Sequence, residues 1–368
     1  MMSHMRRLLS LSTAMIVAST AIASAEPSAE LIAAAKAEGN LTTIALPHDW
    51  CGYGGVIAGF KAKYPEITVN ELNPDAGSAD EVEAIKANKD NKGPQAPDVV
   101  DVGLAFGPQM KAEGLTQPYK VSTWDEIPDT IKDADGHWYG DYYGVMSLLV
   151  NKDLVANTPK DWSDLLKPEY AGQVALAGDP RASNQAILGV LAAGLASGAA
   201  AGQAAGEAGL SYFGELNKAG NFVPVIGKSG TLAQGATPII VMWDYNALAA
   251  KDTLAGNPPV EVVVPTKGVL AGVYVQAISA YAPHPNAAKL WMEYLYSDEG
   301  QLAWLKGYCH PARFNAMAAA GKIPQELLDK LPPAESYAAA YFPTLEEVDA
   351  NKAAVTGGWD KVVGANVQ

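Results

Sequence analysis

The sequence predicts an α/β protein of two lobes. Strand and helix signals alternate through the first half, the alternation returns in the middle, and 368 residues exceed what one compact core usually holds. In the first half, residues 41–46 form a buried-strand run. Val56, Ile57, Phe60 and Tyr64 then recur at helical spacing. Residues 67–69 predict a second strand, 81–89 a helix with a polar face, 98–102 a third strand, and 104–113 a helix stopped by Gly114. This order implies largely parallel sheets covered by helices.

In the middle, 174–177 and 239–243 predict strands, each followed by a helix, from about Asn184 and about Asn246. Residues 260–264 predict another strand. The Ala-rich stretch 189–210 is broken by Gly194, Gly198, Gly202 and Gly206 and predicts close-packed helices. After Pro285, which suits a first helical turn, Ala287, Leu290, Trp291, Tyr294 and Leu295 share one apolar face. Two apolar segments, 142–151 and 273–281, are expected to cross between lobes. The expected division is residues 1–25 as a signal peptide, 26–148 plus 272–368 as lobe 1, and 149–271 as an inserted lobe 2.

Residues 1–25 are expected to lie outside the fold. Arg6 and Arg7 form a basic start, residues 8–22 an apolar core, and Ala23-Ser24-Ala25 a cleavage motif, the order of a secretory signal. Cleavage is expected after Ala25. No later segment has a long uncharged apolar run.

Charge excludes whole classes. The net charge is −14, so bulk attraction to nucleic acid or anionic lipid is not expected. Cys51 and Cys309 form an even pair, which in an exported chain points to a disulfide; two free buried thiols are the alternative.

Several short pieces together resemble a known family. They are Trp138-Tyr139-Gly140 leading to Val150-Asn151-Lys152, the stretch 162–172, Asp179-Pro180-Arg181-Ala182-Ser183, Leu232-Ala233-Gln234-Gly235, the stretch 282–288, and Ser297-Asp298-Glu299-Gly300-Gln301. In order and spacing they are similar to periplasmic solute-binding proteins of ABC importers, in the cluster that takes up ferric iron, polyamines, thiamine, phosphonates and sugar phosphates. The resemblance implies the type II periplasmic-binding-protein fold, with a ligand cleft between two hinged lobes. It also implies a monomer in the periplasm whose partners are a small polar ligand and the membrane subunits of an ABC permease, with no cofactor and no nucleic acid.

Three loops fall where such a sheet holds its ligand, at the carboxyl ends of strands. In the first, residues 47–55, Gly54 and its neighbour Gly55 offer backbone N–H groups at a helix start, and Asp49, Trp50 and Tyr53 offer a carboxylate and two flat faces. In the second, residues 178–184, Asp179, Arg181, Ser183 and Asn184 are the candidates, Arg181 as a planar cation for carboxylate or phosphate. In the third, Trp243 is a stacking face and Asp244 an acceptor, although both equally suit a helix start. Tyr274, near the second crossing, is a further candidate.

These residues offer both signs of charge. The leading expectation is an anionic sugar derivative, an opine-like conjugate or an organophosphonate; a polyamine is the alternative. Ferric-binding relatives use an adjacent Tyr pair from the second lobe. The one Tyr-Tyr pair here, Tyr142-Tyr143, lies at a crossing, and the strand end that should carry it reads Trp-Asp-Tyr, so iron is disfavoured. A secreted hydrolase is also disfavoured: no nucleophile elbow, zinc-protease helix or metal-spaced cluster occurs. Gly227-Lys228-Ser229 ends like a nucleotide-phosphate loop, but Phe222 stands where its first Gly belongs.

Overall fold

A computed structural model describes residues 26–331 and 339–368. The predicted signal peptide lies outside the described residues.

The chain opens with helix α1 (Ala29–Glu38), strand β1 (Asn40–Ile44), α2 (Tyr53–Lys63), β2 (Thr68–Leu72), α3 (Ser78–Ala87), β3 (Val99–Gly103), α4 (Phe106–Ala112) and β4 (Thr116–Gln117). It continues through the long β5 (Tyr139–Asn151), β6 (Val174–Leu176), α5 (Asn184–Ala196), α6 (Gln203–Lys218), α7 (Ser229–Ala233), β7 (Ile239–Trp243), α8 (Asp244–Leu254), β8 (Val260–Val263) and β9 (Ala271–Ser279). It closes with α9 (Pro285–Leu295), α10 (Asp298–Lys306), β10 (His310–Pro311), α11 (Phe314–Ala319), α12 (Gln325–Leu328) and α13 (Leu345–Val362). Among the described residues no helix is long and apolar enough to cross a membrane.

The sheets are mixed. Between the named strands, parallel pairing joins β1 to β2 and β6 to β7, while β3, β5, β7 and β9 meet their other neighbours antiparallel. The expectation of mainly parallel sheets is corrected in this respect. The reason lies in β5, which travels from one sheet to the other. Its residues from Tyr139 to Val145 pair with β9 and β10, and those from Met146 to Asn151 with β7 and β8. A strand that runs out of one lobe meets strands running back. The chain returns between β8 and β9. Through β5 the strands form one continuous order, β3-β9-β5-β7-β6, beside a separate two-stranded sheet of β1 and β2, and the main core cluster runs through both lobes.

The last helix departs from the expected division. Helix α13 is capped by Thr344 with Glu347 and packs on α5 and α6, whereas the expected division places it, with all of 272–368, in the first lobe. Trp359 is wholly buried against Phe213 and Phe222, and Gln368 trades backbone bonds with Pro224 and Ile226. Sequence continuity misleads here, because α13 buries Val348, Val355 and Trp359 against the glycine-rich helix pair. That pair is closely packed, as its small residues predict: a Cβ on Gly209 would lie 2.0 Å from the Val190 carbonyl oxygen.

Candidate binding site

A cavity of about 670 Å³ lies between the lobes. One wall comes from the first lobe: Asp49 and Trp50 after β1, residues 74–81 at the start of α3, Asp101 on β3 and Tyr274 on β9. The opposite wall comes from residues 177–179, 182–185 and 226–231 and from Asn246, Ala249, Ala250 and Thr253 of α8. The volume suits a small molecule.

Trp50 sits at the meeting of the lobes. Its indole N–H donates to the Tyr142 hydroxyl at 2.6 Å, and its ring meets those of Tyr245 and Tyr274 edge-on at 5.5 and 5.4 Å. Tyr274 in turn stacks on Tyr142 at 5.5 Å. The loop is anchored by the Cys51–Cys309 disulfide, which joins it to the turn after α10. Next door, the Tyr308 hydroxyl donates to Asp252 of α8 and ties that turn to the second lobe.

The floor is acidic. Asp101 Oδ2 accepts from the hydroxyls of Tyr142 at 2.6 Å and Tyr53 at 2.9 Å. Asp141 accepts from Gln276 Nε2 at 2.9 Å and the Tyr142 backbone N–H at 2.7 Å, and Glu81 accepts the Asp101 backbone N–H at 2.9 Å. All three carboxyls are buried, and burial holds each above the ordinary carboxylate range; the charge of Asp101 raises Glu81 and Asp141 further. Burial also raises Tyr53 and Tyr142, which therefore remain donors.

The structure separates the predicted residues into two groups. Asp49, Trp50, Asp179, Ser183, Asn184 and Tyr274 line the cavity. Tyr53, Gly54, Arg181, Trp243 and Asp244 are outside its lining. Arg181 is the largest departure. Its guanidinium is held by both Asp179 oxygens at 2.8–3.0 Å, by Asn366 at 2.8 Å and by Asp360 at 3.3 Å, so it ties the loop to the C-terminal segment. Gly54 gives its N–H to His48 within a tight turn whose Cys51 and Gly52 have positive φ. Tyr53 is wholly buried beneath the cavity. Trp243 is wholly buried against Tyr245 and Tyr274, and Asp244 accepts the Val145 backbone N–H at 2.8 Å, fixing α8 to β5.

Other lining residues were not singled out in the sequence. Gln185 is nearly buried and clamps the second and third loops: its amide donates to the Ala177 carbonyl, and its oxygen accepts from the Trp243 backbone N–H at 2.8 Å and from Asn246 at 3.2 Å. Glu81 and Asp101 carry the floor. Asp101 had a signal, since it interrupts the Val run of a buried strand, where a charge needs a reason. Lys228, Ser229 and Thr231 line the far rim, where the Lys228 amine lies 2.9 Å from Asp75 of the facing lobe.

The ionisable lining is mostly acidic, Asp49, Asp75, Asp80, Glu81, Asp101 and Asp179 with Lys228; of these, Asp75 is paired with Lys228, Asp179 with Arg181, and burial holds Glu81 and Asp101 towards their neutral forms. Among the described residues no group of His, Cys, Asp and Glu is placed to hold a metal ion.

Comparison with known proteins decides the family. The model of the bacterial extracellular solute-binding proteins matches residues 95–339. The chain belongs to that family. An uncharacterized protein of Haemophilus influenzae is 30% identical over 222 residues, 56% of this chain and 60% of that protein. The solute-binding protein thus spans about three fifths of that curated relative. Among solved structures, the periplasmic binding protein AfuA from Actinobacillus pleuropneumoniae, with fructose-6-phosphate bound, is 19% identical with a TM-score of 0.65, covering 88% of this chain and 98% of that one. The protein AgtB from A. tumefaciens R10, in complex with agropinic acid, is 15% identical with a TM-score of 0.68, covering 89% of this solute-binding protein and 99% of AgtB. At these identities the likeness shows the fold.

Proposed function

We propose that this chain is the substrate-binding component of an ABC importer, capturing a small polar organic solute in the periplasm and delivering it to a membrane permease without altering it. Family membership and the interlobe cavity support this reading. For the division of the chain, we place the boundary within β5, where pairing changes after Val145, and again between β8 and β9, with α13 joining the second lobe.

The guest is a small organic amine. The observation that carries this is the acidic lining, with Asp101 and Glu81 at its floor and no arginine on its surface. A phosphate or carboxylate entering there would meet carboxyl groups on most sides, while an ammonium would gain charge-assisted hydrogen bonds of about 1.5–3 kcal/mol each. The Trp50 and Tyr274 faces suit a cation or an alkyl chain. Micromolar affinity requires about 8 kcal/mol, within reach of a few such bonds plus aromatic burial. The sequence expectation of an anionic guest rested on Arg181 and two helix N-termini, and of these Arg181 is engaged by Asp179 and Asp360. A second reading, a guest with an anionic group, is favoured by Lys228, Ser229 and Thr231 at the rim.

A thermal-shift screen tests both, because a ligand at about 100 times its Kd adds about 2.7 kcal/mol of stability. Spermidine, putrescine, 2-aminoethylphosphonate, fructose-6-phosphate and agropinic acid are the probes. A rise with the amines supports the first reading. A rise with fructose-6-phosphate alone overturns it in favour of the second.

A further inference from the structure

We propose that helix α13 is a clasp between the lobes: fastened along the second, it grips the first through Lys352 and favours the closed arrangement without touching the guest. This deepens the reading of an interlobe binding site. It rests on the division of the chain given above and not on the chemistry of the guest.

Most of α13 belongs to one side. It packs along α5 and α6 and buries Val348, Val355 and Trp359. Two side chains of its first half reach the other way. Leu345 packs against the first-lobe cluster that holds Val82, Val100 and Met110. Two turns on, Lys352 meets α4: its amine nitrogen lies 3.4 Å from the centre of the Phe106 ring and donates to Gln109 Oε1 at 2.6 Å. Burial holds this amine below the usual lysine range, at about 8, so near neutral pH it is an ammonium that has given up water for a ring face and an amide oxygen. The acceptor is itself held in place. Gln109 Nε2 donates to Glu113 Oε1 at 2.9 Å, which turns the amide oxygen towards α13, and Glu113 Oε2 is paired with Lys86 at 2.9 Å.

The approach to the helix is tied to the second crossing. The Tyr341 N–H donates to the Val269 carbonyl at 2.8 Å, and its carbonyl accepts from the Ala271 N–H at 2.9 Å, beside the start of β9. Its hydroxyl donates to Glu347 Oε2 at 2.7 Å, in the first turn of α13. Lys352 lies about 10 Å along the helix from Leu345. A rotation that parts α13 from α4 breaks its contact with Phe106 and Gln109. Neither α4 nor α13 lines the interlobe cavity, so the clasp biases closure alike for every guest.

Pulsed dipolar spectroscopy of the mature chain, with spin labels on Lys61→Cys of α2 and Lys218→Cys of α6, both exposed positions, reads the distance between lobes with no guest added. The expected result is a population at the separation seen in the structure. Its ratio to wider separations should fall about three- to tenfold in Lys352→Met, which keeps the apolar stem and loses the charge. Gln109→Leu should do the same from the other lobe, and it reads the clasp even if Lys352→Met fails to fold. Lys352→Arg, which keeps a cation and a donor, should restore the population. Distances unchanged or narrowed in both Lys352→Met and Gln109→Leu overturn the proposal, even where the urea midpoint falls, because that is the mark of a merely structural contact. Labelled chain with no population at the structure's separation overturns it as well. If both variants widen the molecule but no small polar solute narrows it, the clasp stands and the binding reading fails.

Discussion

The Lys228 amine sits 2.9 Å from Asp75 Oδ1 and joins the rim of the second lobe to the start of α3 in the first, across the mouth of the cleft. Both side chains are exposed, so the pair contributes little to folding. A pair that spans the two walls favours the arrangement in which they meet. Asp75→Ala is expected to weaken guest binding by about two- to fivefold, mainly through faster release, and to make affinity less sensitive to salt. Surface plasmon resonance at low and high salt checks this; an unchanged off-rate contradicts it.

Gly103 sets how closely the lobes approach. A Cβ there would lie 2.0 Å from Cγ of Asn184, at the start of α5 in the facing lobe. Gly103→Ala is therefore expected to hold the lobes apart. Guest affinity should fall more than tenfold, and small-angle scattering should report a wider molecule in the presence of guest. Retained affinity would show that this approach is dispensable.

The Cys51–Cys309 bond closes a separation of 258 residues and anchors the Trp50 loop. Replacing both cysteines by serine is expected to cost about 2–5 kcal/mol in urea unfolding. Guest binding should also weaken, because Trp50 loses its anchor. Alkylation of the unreduced, unfolded wild type should find no free thiol; two alkylated cysteines would contradict the bond.

The acidic floor fixes a pH sign. In the folded chain burial raises Glu81, Asp101 and Asp141 above the ordinary carboxylate range. Between that range and neutrality the native state binds more protons than the unfolded chain, so their contribution to stability is present at low pH and lost as pH rises. Urea midpoints measured from about pH 5 to pH 8 should fall, and Asp101→Asn should flatten the slope. A slope unaffected by Asp101→Asn contradicts this account of the floor.

Much of this was legible in the sequence, and the failures have a common cause. The alternation around β1, β2 and β3, and the helices starting near Asn184 and after Pro285, follow from local periodicity, and the structure has them. Trp50 and Asn184 reach the cleft because the segments that follow β1 and β6 face it, and Tyr274 reaches it from within β9. Arg181 does not, because its partners Asp360 and Asn366 arrive from a distant part of the chain. Nothing local announces that α13 returns to the second lobe. Trp243 and Asp244 illustrate the opposite case. Their sequence fits a helix start as well as a ligand contact, and the groups that they meet, Gln185 and the Val145 backbone, are both remote in sequence. Asp101 was visible as a charge inside an apolar strand, but its hydrogen bonds to Tyr53 and Tyr142 depend on how α2 and β5 meet β3, which periodicity does not specify.

The most direct test of the central claim is a crystal structure of the mature protein grown with spermidine. The account predicts the guest between the lobes, with an amine nitrogen within hydrogen-bonding distance of Asp101 or Glu81 and its chain against Trp50 or Tyr274. Spermidine lying outside the interlobe cavity, or a cavity left open with no guest at saturating amine, would contradict it.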